Sequence, residues 1–285
     1  MKVVIMPNLT RQNAYETMVK LCESLDRLGV EYRFLPETDN FDGIPSEKII
    51  SVTNLPDYAD VLIAIGGDGT MIRAAMSVLD YEIPILGINA GNLAYLMGLE
   101  ADEMELLGKM IPADYHVEER LVLQVDVYDD EDNHILTDYC INEAVFARGA
   151  EIKLTKFDLY CDNRFINRYN SDGLIFSTPT GSTAYNLAAG GPIVDPRIEC
   201  IILSPICPHS LVERSVIFSN SSVFRIENPS GAIKTLLSCD GRDSIVFDAS
   251  YKAVIKNADK KARFIRLKDD TFMDILHKKM KSNNR

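Results

Sequence analysis

An unbroken apolar run, Val61-Leu62-Ile63-Ala64-Ile65, leads directly into Gly66-Gly67-Asp68-Gly69-Thr70. A helical stripe of Met71, Ala74, Ala75, Val78 and Leu79 follows. A strand without polar alternation is covered on both faces, which is the habit of parallel sheets flanked by helices. Such a sheet binds ligands at the carboxyl ends of its strands, where this glycine loop sits. The neighbouring segments repeat the pattern. Val3 to Met6 is a predicted strand, too short for a secretion signal. Ala14, Met18, Leu21, Cys22, Leu25 and Leu28 share one helical face that Gly29 ends, and Val30 to Leu35 and Ile83 to Ile88 are further strands. Alternation of this kind predicts an α/β domain built on a parallel sheet.

Glycines in the loop let the backbone approach a phosphate, and the helix after it presents free N–H groups and a positive dipole end. Thr70 is placed to cap that helix. Asp68 is the odd member, because a carboxylate facing a phosphate is unfavourable unless it has a task. It can take a proton from an attacking hydroxyl or help hold a metal that rides on the phosphates. The alternative is a tight Asp-Gly turn that only joins strand to helix. Ile72 stands where G-x-G-x-x-G needs its third glycine, and G-x-x-x-x-G-K-[ST] is absent, so neither a plain Rossmann site nor a P-loop is supported.

Past Pro112 the character changes to strands and turns. Leu121 to Tyr128 and Ile135 to Arg148 flank an acidic turn, Ile152 to Tyr160 and Phe165 to Tyr169 flank Cys161-Asp162-Asn163-Arg164, and Asp240-Gly241 is a hairpin dipeptide. A second strand–turn–helix junction runs from Leu174-Ile175-Phe176-Ser177 through Thr178-Pro179-Thr180-Gly181-Ser182-Thr183-Ala184-Tyr185, with a helix expected from Ser182 or Thr183 to Ala189. Its hydroxyls and amides can bind ribose, phosphate or base edges without bringing charge, and Tyr185 offers a flat ring. An ordinary helix cap with a core tyrosine explains the same residues equally well. Asn142-Glu143 lies in the strand-like run Tyr139 to Phe146, and Asp172 precedes the second loop. Polar pairs inside apolar strands either line a cleft or face solvent. Thr271 to Lys281, with Phe272, Ile275 and Leu276, reads as a terminal amphipathic helix.

Bulk properties narrow the partners. The 285-residue chain is 46% hydrophobic and 25% charged, an ordinary globular balance. Its formal charge of −12 argues against nonspecific binding to nucleic acid and to anionic membrane, and leaves room for an anionic small molecule. None of the six cysteines forms a C-x-x-C pair, so reduced and mostly buried thiols are expected.

Taken together, these segments resemble the NAD kinase family. The match is carried by Gly66-Gly67-Asp68-Gly69-Thr70, Gly87-Ile88-Asn89-Ala90-Gly91, Asn142-Glu143, and Asp172-Gly173-Leu174 through Tyr185. Gly190-Gly191-Pro192-Ile193 and the stretch Pro205 to Leu211 extend it. The first loop alone is shared with lipid kinases and phosphofructokinases; the Thr-Pro-Thr-Gly-Ser-Thr-Ala-Tyr run after Asn-Glu is far more specific. The resemblance implies an α/β domain over 1–112, a β-rich NAD-binding domain over 113–262, a terminal segment 263–285 returning to the first domain, and a site between the two domains. It implies phosphorylation of the adenosine-ribose 2′-hydroxyl of NAD by ATP or polyphosphate, with Asp68 as proton acceptor.

Dinucleotide contacts are implied at Gly67, Asp68, Gly69, Thr70, Arg73 and Tyr95, then at Asn142, Glu143, Lys153 and Asp172. Thr180, Thr183, Ala184, Tyr185, Asn186, Leu187, Ala188 and Arg242 complete the set. Mg²⁺ or another divalent cation would arrive with the triphosphate, no residue being assigned to a resident metal. The family is cytoplasmic and forms homodimers or homotetramers. Three departures stand out. Ala94-Tyr95-Leu96 replaces Gly-Phe-Leu, Arg242 follows Asp240-Gly241 where glutamine is usual, and Asn170 occupies a position that is often basic. A lipid or sugar kinase sharing the first loop would need neither the Asn-Glu pair nor the Thr-Ala-Tyr run. A dinucleotide-binding regulator would not need Asp68.

Overall fold

The structure is a computed structural model that describes residues 1–36, 44–91, 94–150, 153–210, 212–229 and 234–282. Ile152 at the start of an expected strand, Leu211 at the end of the Pro205 stretch, and residues 283–285 lie outside them. The chain forms two compact units, one of residues 1–119 with 261–285 and the other of residues 120–260.

The first unit opens with β1 (Lys2–Pro7), α1 (Ala14–Arg27), β2 (Glu31–Phe34), the single-turn α2 (Leu55–Tyr58), β3 (Val61–Gly66), α3 (Asp68–Val78), β4 (Ile85–Asn89) and the short β5 (Leu99–Glu100). Its strands pair in parallel in the order β2-β1-β3-β4, with Val3 opposite Val61 and Leu62 opposite Ile85. All six residues of β3 are buried, as the unbroken apolar run requires. One sheet face packs Val3, Ile5, Ile63 and Ile65 against Ala14, Met18, Leu21 and Leu25 of α1. Gly29 takes φ 66°, the left-handed conformation that ends α1 without a Cβ penalty. Met71, Ala74, Ala75 and Val78 are the buried stripe of α3. Each large aliphatic side chain removed from water in this way contributes about 1.5–3 kcal/mol.

Strand β6 (His116–Asp129) carries the chain into the second unit, which continues with β7 (His134–Cys140), β8 (Glu143–Arg148), β9 (Thr155–Cys161), β10 (Arg164–Ser171) and β11 (Gly173–Ser177). After α4 (Tyr185–Ala188) come β12 (Cys200–Ile206), β13 (Val216–Ser219), β14 (Phe224–Glu227), β15 (Thr235–Cys239) and β16 (Ile245–Phe247). The long β17 (Tyr251–Arg266) returns to the first unit, where Phe264 pairs in parallel with Ile85, and α5 (Phe272–Ser282) follows. In the second unit an antiparallel sheet runs β13-β12-β11-β8-β15-β16, and other antiparallel ladders join β10-β9-β14-β17 and β6-β7. Their inner faces share one core in which Phe146 meets Phe247 at 5.0 Å and Phe176 meets Phe224 at 5.3 Å between ring centroids.

Three local expectations are corrected. Helix α3 begins at Asp68 with Gly67 as its N-cap, so Thr70 lies inside the first turn and does not cap it. The extended Gly67 (φ −131°, ψ −168°) lets its carbonyl accept the amides of Thr70 and Met71, which starts the helix before the threonine. The expected helix from Ser182 or Thr183 to Ala189 is a 3₁₀ turn over Thr180–Thr183 followed by the short α4. The Ile135 to Arg148 run is two strands, β7 and β8, which pair with β6 and with β11 and β15 respectively. The break falls at Ile141-Asn142, for a reason found in the site. All six cysteines are free, and Cys140, Cys200 and Cys239 are buried. Among the described residues no helix is long and apolar enough to cross a membrane.

Candidate functional site

In the first unit, the end of β3 delivers Asp68 to the first position of α3, at the positive end of the helix dipole. Its carboxylate is held from outside the helix: Oδ2 accepts the Tyr95 amide at 3.1 Å and Oδ1 accepts the Leu96 amide at 2.9 Å. Both oxygens are thereby oriented by backbone. Burial first, and then the Asp68 charge, push the Tyr95 hydroxyl above its ordinary pKa, so it remains a neutral donor. Thr70 is buried, and its hydroxyl oxygen accepts from Asn8 Nδ2 at 3.2 Å and Arg73 Nη2 at 3.3 Å. A Cβ at Gly66 would overlap the Thr70 side chain, so this turn requires glycine there. Gly69 and Arg73 are exposed beside it.

In the second unit the site is built around the corner at Ile141-Asn142-Glu143. Asp240 supplies the amide side: its carboxylate accepts the N–H groups of Ile141 at 2.7 Å, Asn142 at 2.7 Å and Glu143 at 3.0 Å. The carbonyl side belongs to the second loop, where Thr178 Oγ1 donates to Ile141 O at 2.6 Å and the Thr178 amide donates to Asn142 O at 2.9 Å. With its backbone groups taken by a side chain and a loop, the corner cannot continue a ladder, and β7 ends where it does. The two segments that looked separate in sequence, Asn142-Glu143 and Thr178 to Tyr185, are therefore one structure. Gly181 lies against it so closely that a Cβ would overlap the Asn142 backbone. Gly181→Ala is expected to destabilise this unit by about 1–3 kcal/mol, since backbone cannot rotate away. Chemical denaturation checks this; an unchanged midpoint would show that the loop yields.

The expected contact residues divide by exposure. Tyr185 is 43% exposed and Leu187 38% exposed, with Ala188 also at the surface. Asn186 is fully buried, and its amide is already satisfied: Nδ2 donates to Ser182 O and Pro192 O at 3.1 Å, and Oδ1 accepts Ser204 Oγ at 2.6 Å. Its side chain holds the loop together. Thr180 is buried with its Oγ1 accepting from Arg120 Nη1 at 3.4 Å, while Thr183 and Ala184 are half-buried. Asp172 pairs with Arg148 Nε at 2.9 Å, and Lys153 is exposed. Arg242 Nη2 donates to Asp138 at 2.8 Å and to Tyr139 O at 2.6 Å, so a phosphate contact there would have to draw it off these partners. At Asn170 the backbone carbonyl accepts the His209 amide at 2.8 Å. Asp240 and Thr178 were not foreseen as organisers of the site. The Asp-Gly dipeptide marked the hairpin, and both Asp240 and Gly241 do take positive φ, but nothing local revealed where the carboxylate would reach.

Glu143 is 7% exposed, and its Oε2 finds no partner among the described residues. Burial, with the Asp240 charge adding and the Tyr185 amide opposing, pushes its carboxyl from 4.5 to about 8. Below pH 4.5 the folded and unfolded forms both carry the proton, and the stability of the neutral buried acid is fully present. It falls as pH rises through the window up to about 8, because only the folded form still holds the proton there. The melting temperature of Glu143→Gln is therefore expected to gain on the wild type by several degrees between pH 5 and about 8 and then level off. A difference independent of pH would contradict the burial argument.

Both units match the same family. The description "ATP-NAD kinase N-terminal domain" fits residues 3–112, and "ATP-NAD kinase C-terminal domain" fits residues 141–267. The NAD kinase of Carboxydothermus hydrogenoformans is 35% identical over 239 residues, covering 84% of this chain and 85% of that protein. The NAD kinase of Syntrophobacter fumaroxidans is 38% identical over 229 residues, covering 80% and 81%. Among solved structures, yeast NADH kinase complexed with NADH superposes with a TM-score of 0.83 at 25% identity, covering 97% of this chain and 85% of that one. The NAD kinase from Archaeoglobus fulgidus in complex with ATP gives 0.75 at 25% identity, covering 99% of each chain. With both domain descriptions matched and relatives this similar over most of its length, the chain belongs to the NAD kinase family.

Proposed function

We propose that this protein transfers the γ-phosphoryl group of ATP to the adenosine-ribose 2′-hydroxyl of NAD, giving NADP and ADP. The observation that carries the reading is the Asp68 carboxylate, placed at the head of a glycine-loop helix and held by the amides of Tyr95 and Leu96. As the 2′-oxygen bonds to phosphorus, Asp68 takes its proton and the bond from the γ-phosphorus to the β,γ-bridging oxygen breaks, its electron pair leaving with ADP. Positioning and electrostatic stabilisation supply most of the rate in such transfers, so few side chains need to react. The positive dipole end at the start of α3 offsets phosphate charge. Asn142, Glu143 and the Tyr185 ring are assigned to the dinucleotide, supported by the rigidity that Asp240 and Thr178 give their corner. Gly67, Gly69, Thr70, Arg73, Lys153, Asp172 and Thr183 complete the proposed contacts.

Among the described residues no group of three or more His, Cys, Asp and Glu side chains is arranged to hold a metal. The divalent cation of this reaction is assigned to the triphosphate, as part of the substrate. A cytoplasmic, homodimeric or homotetrameric enzyme completes the reading, and free thiols accord with a reducing compartment. The test is to incubate purified protein with NAD, ATP and Mg²⁺, measure NADP with an NADP-specific dehydrogenase, and omit each component in turn. Polyphosphate and NADH in place of ATP and NAD define donor and acceptor. NADP formation that needs all three components supports the reading. NAD binding by calorimetry without NADP formation would replace it with a regulator.

A further inference from the structure

Arg266, the last residue of β17, is a charged side chain only 6% exposed. Its Nε donates to Glu118 Oε2 at 3.0 Å, and its Nη1 donates to the carbonyls of Leu96 and Met97, each at 3.0 Å. Its Nη2 is buried without an acceptor among the described residues. An apolar side chain would fill the same volume without leaving a buried donor unpaired. What the guanidinium uniquely does here is hold two consecutive carbonyls from one nitrogen while Glu118 fixes its plane.

Those carbonyls belong to the strap that orients Asp68. Tyr95 and Leu96 point their amides at the Asp68 carboxylate, and Leu96 and Met97 point their carbonyls at Arg266. Leu96 thus bridges the two charged groups through its own backbone. Beyond Met97 the strap is tied to β4 by the Gly98 amide on Gly87 O at 2.9 Å. Without Arg266 the Leu96 and Met97 carbonyls lose these donors, and the strap is free to turn its amides away from Asp68.

We propose that Arg266 is a positioning residue for the phosphoryl transfer, acting on the Asp68 carboxylate through the Tyr95–Met97 backbone and anchored by Glu118. The inference rests on the reading of Asp68 as proton acceptor. Lysine keeps the charge but lacks the planar fork, so Arg266→Lys cannot hold both carbonyls and Glu118 in one geometry. In the full-length protein, Arg266→Lys is expected to lower kcat about tenfold or more while KM for NAD stays within about threefold. Added to Asp68→Asn, the same substitution should cost less than about twofold more, because the group it positions is already gone. Glu118→Gln should show the same pattern with a smaller loss, and serves where Arg266→Lys folds poorly. A general structural role predicts equal losses in both backgrounds, and that outcome overturns the proposal. A kcat within about twofold of wild type for Arg266→Lys, with Asp68→Asn inactive, also overturns it. If Asp68→Asn itself turns over near the wild-type rate, the base assignment has failed, and Arg266 loses the group on which it acts.

Discussion

Asp68→Asn is expected to lower turnover about 10²-fold or more while NAD binding stays within a few-fold. The substitution keeps size and shape but removes the basic carboxylate that the proposed transfer uses to take the ribose proton. It also alters the strap, because the two backbone N–H groups held at 2.9 and 3.1 Å lie on different carboxylate oxygens, and an amide keeps only one acceptor oxygen. The other amide would face a second donor, at a cost of about 1–3 kcal/mol if it stays buried. That loss should appear in the melting temperature and can be compared with the loss of rate. Steady-state kcat and KM at saturating ATP and Mg²⁺, measured beside thermal melts, separate the two effects. A variant that melts slightly early yet turns over within a few-fold of wild type would remove Asp68 from the role of base.

The contrast between Asp68 and its supports shows where the sequence was legible. The strand, glycine loop and helix from Val61 to Val78 follow from local rules: an unbroken apolar run, a backbone able to approach closely, and a helical stripe. The alternation of the first unit and the β-rich character of the second were readable for the same reason. The supports were not. Arg266 reaches Leu96 across 170 positions, and Asp240 reaches Ile141, Asn142 and Glu143 across 97 to 99. Periodicity reports which face of an element is buried, and is silent on which distant side chain meets its backbone. The run from Ile135 to Arg148 is apolar enough to read as one strand, and the capture of its amides by Asp240 and of its carbonyls by Thr178 ends it. Asn186 shows the converse. The family resemblance implies a dinucleotide contact there, and the structure buries its side-chain amide and binds it within the loop.

Asp240→Ala should produce a large loss of stability in the second unit. Three N–H groups lose a charged acceptor at once, and each buried donor left without a partner costs about 1–3 kcal/mol. The carboxylate is itself expensive to bury, as its raised pKa shows, and its removal lowers the cost of ionising Glu143. The balance is a net loss of about 3 kcal/mol or more, read as a fall in the urea midpoint. Asp240→Asn discriminates the cause. Its one acceptor oxygen can take the place of Oδ1, which serves both Asn142 and Glu143, and leaves only Ile141 unserved. It should therefore lose less than half as much stability as alanine does. NAD affinity should follow the same order, because the corner that presents Asn142 and Glu143 loosens in step with its anchors. Equal destabilisation by asparagine and alanine would mean that charge, rather than the count of amides served, holds the corner. A loss below about 1 kcal/mol for alanine would mean that the Thr178 contacts alone suffice.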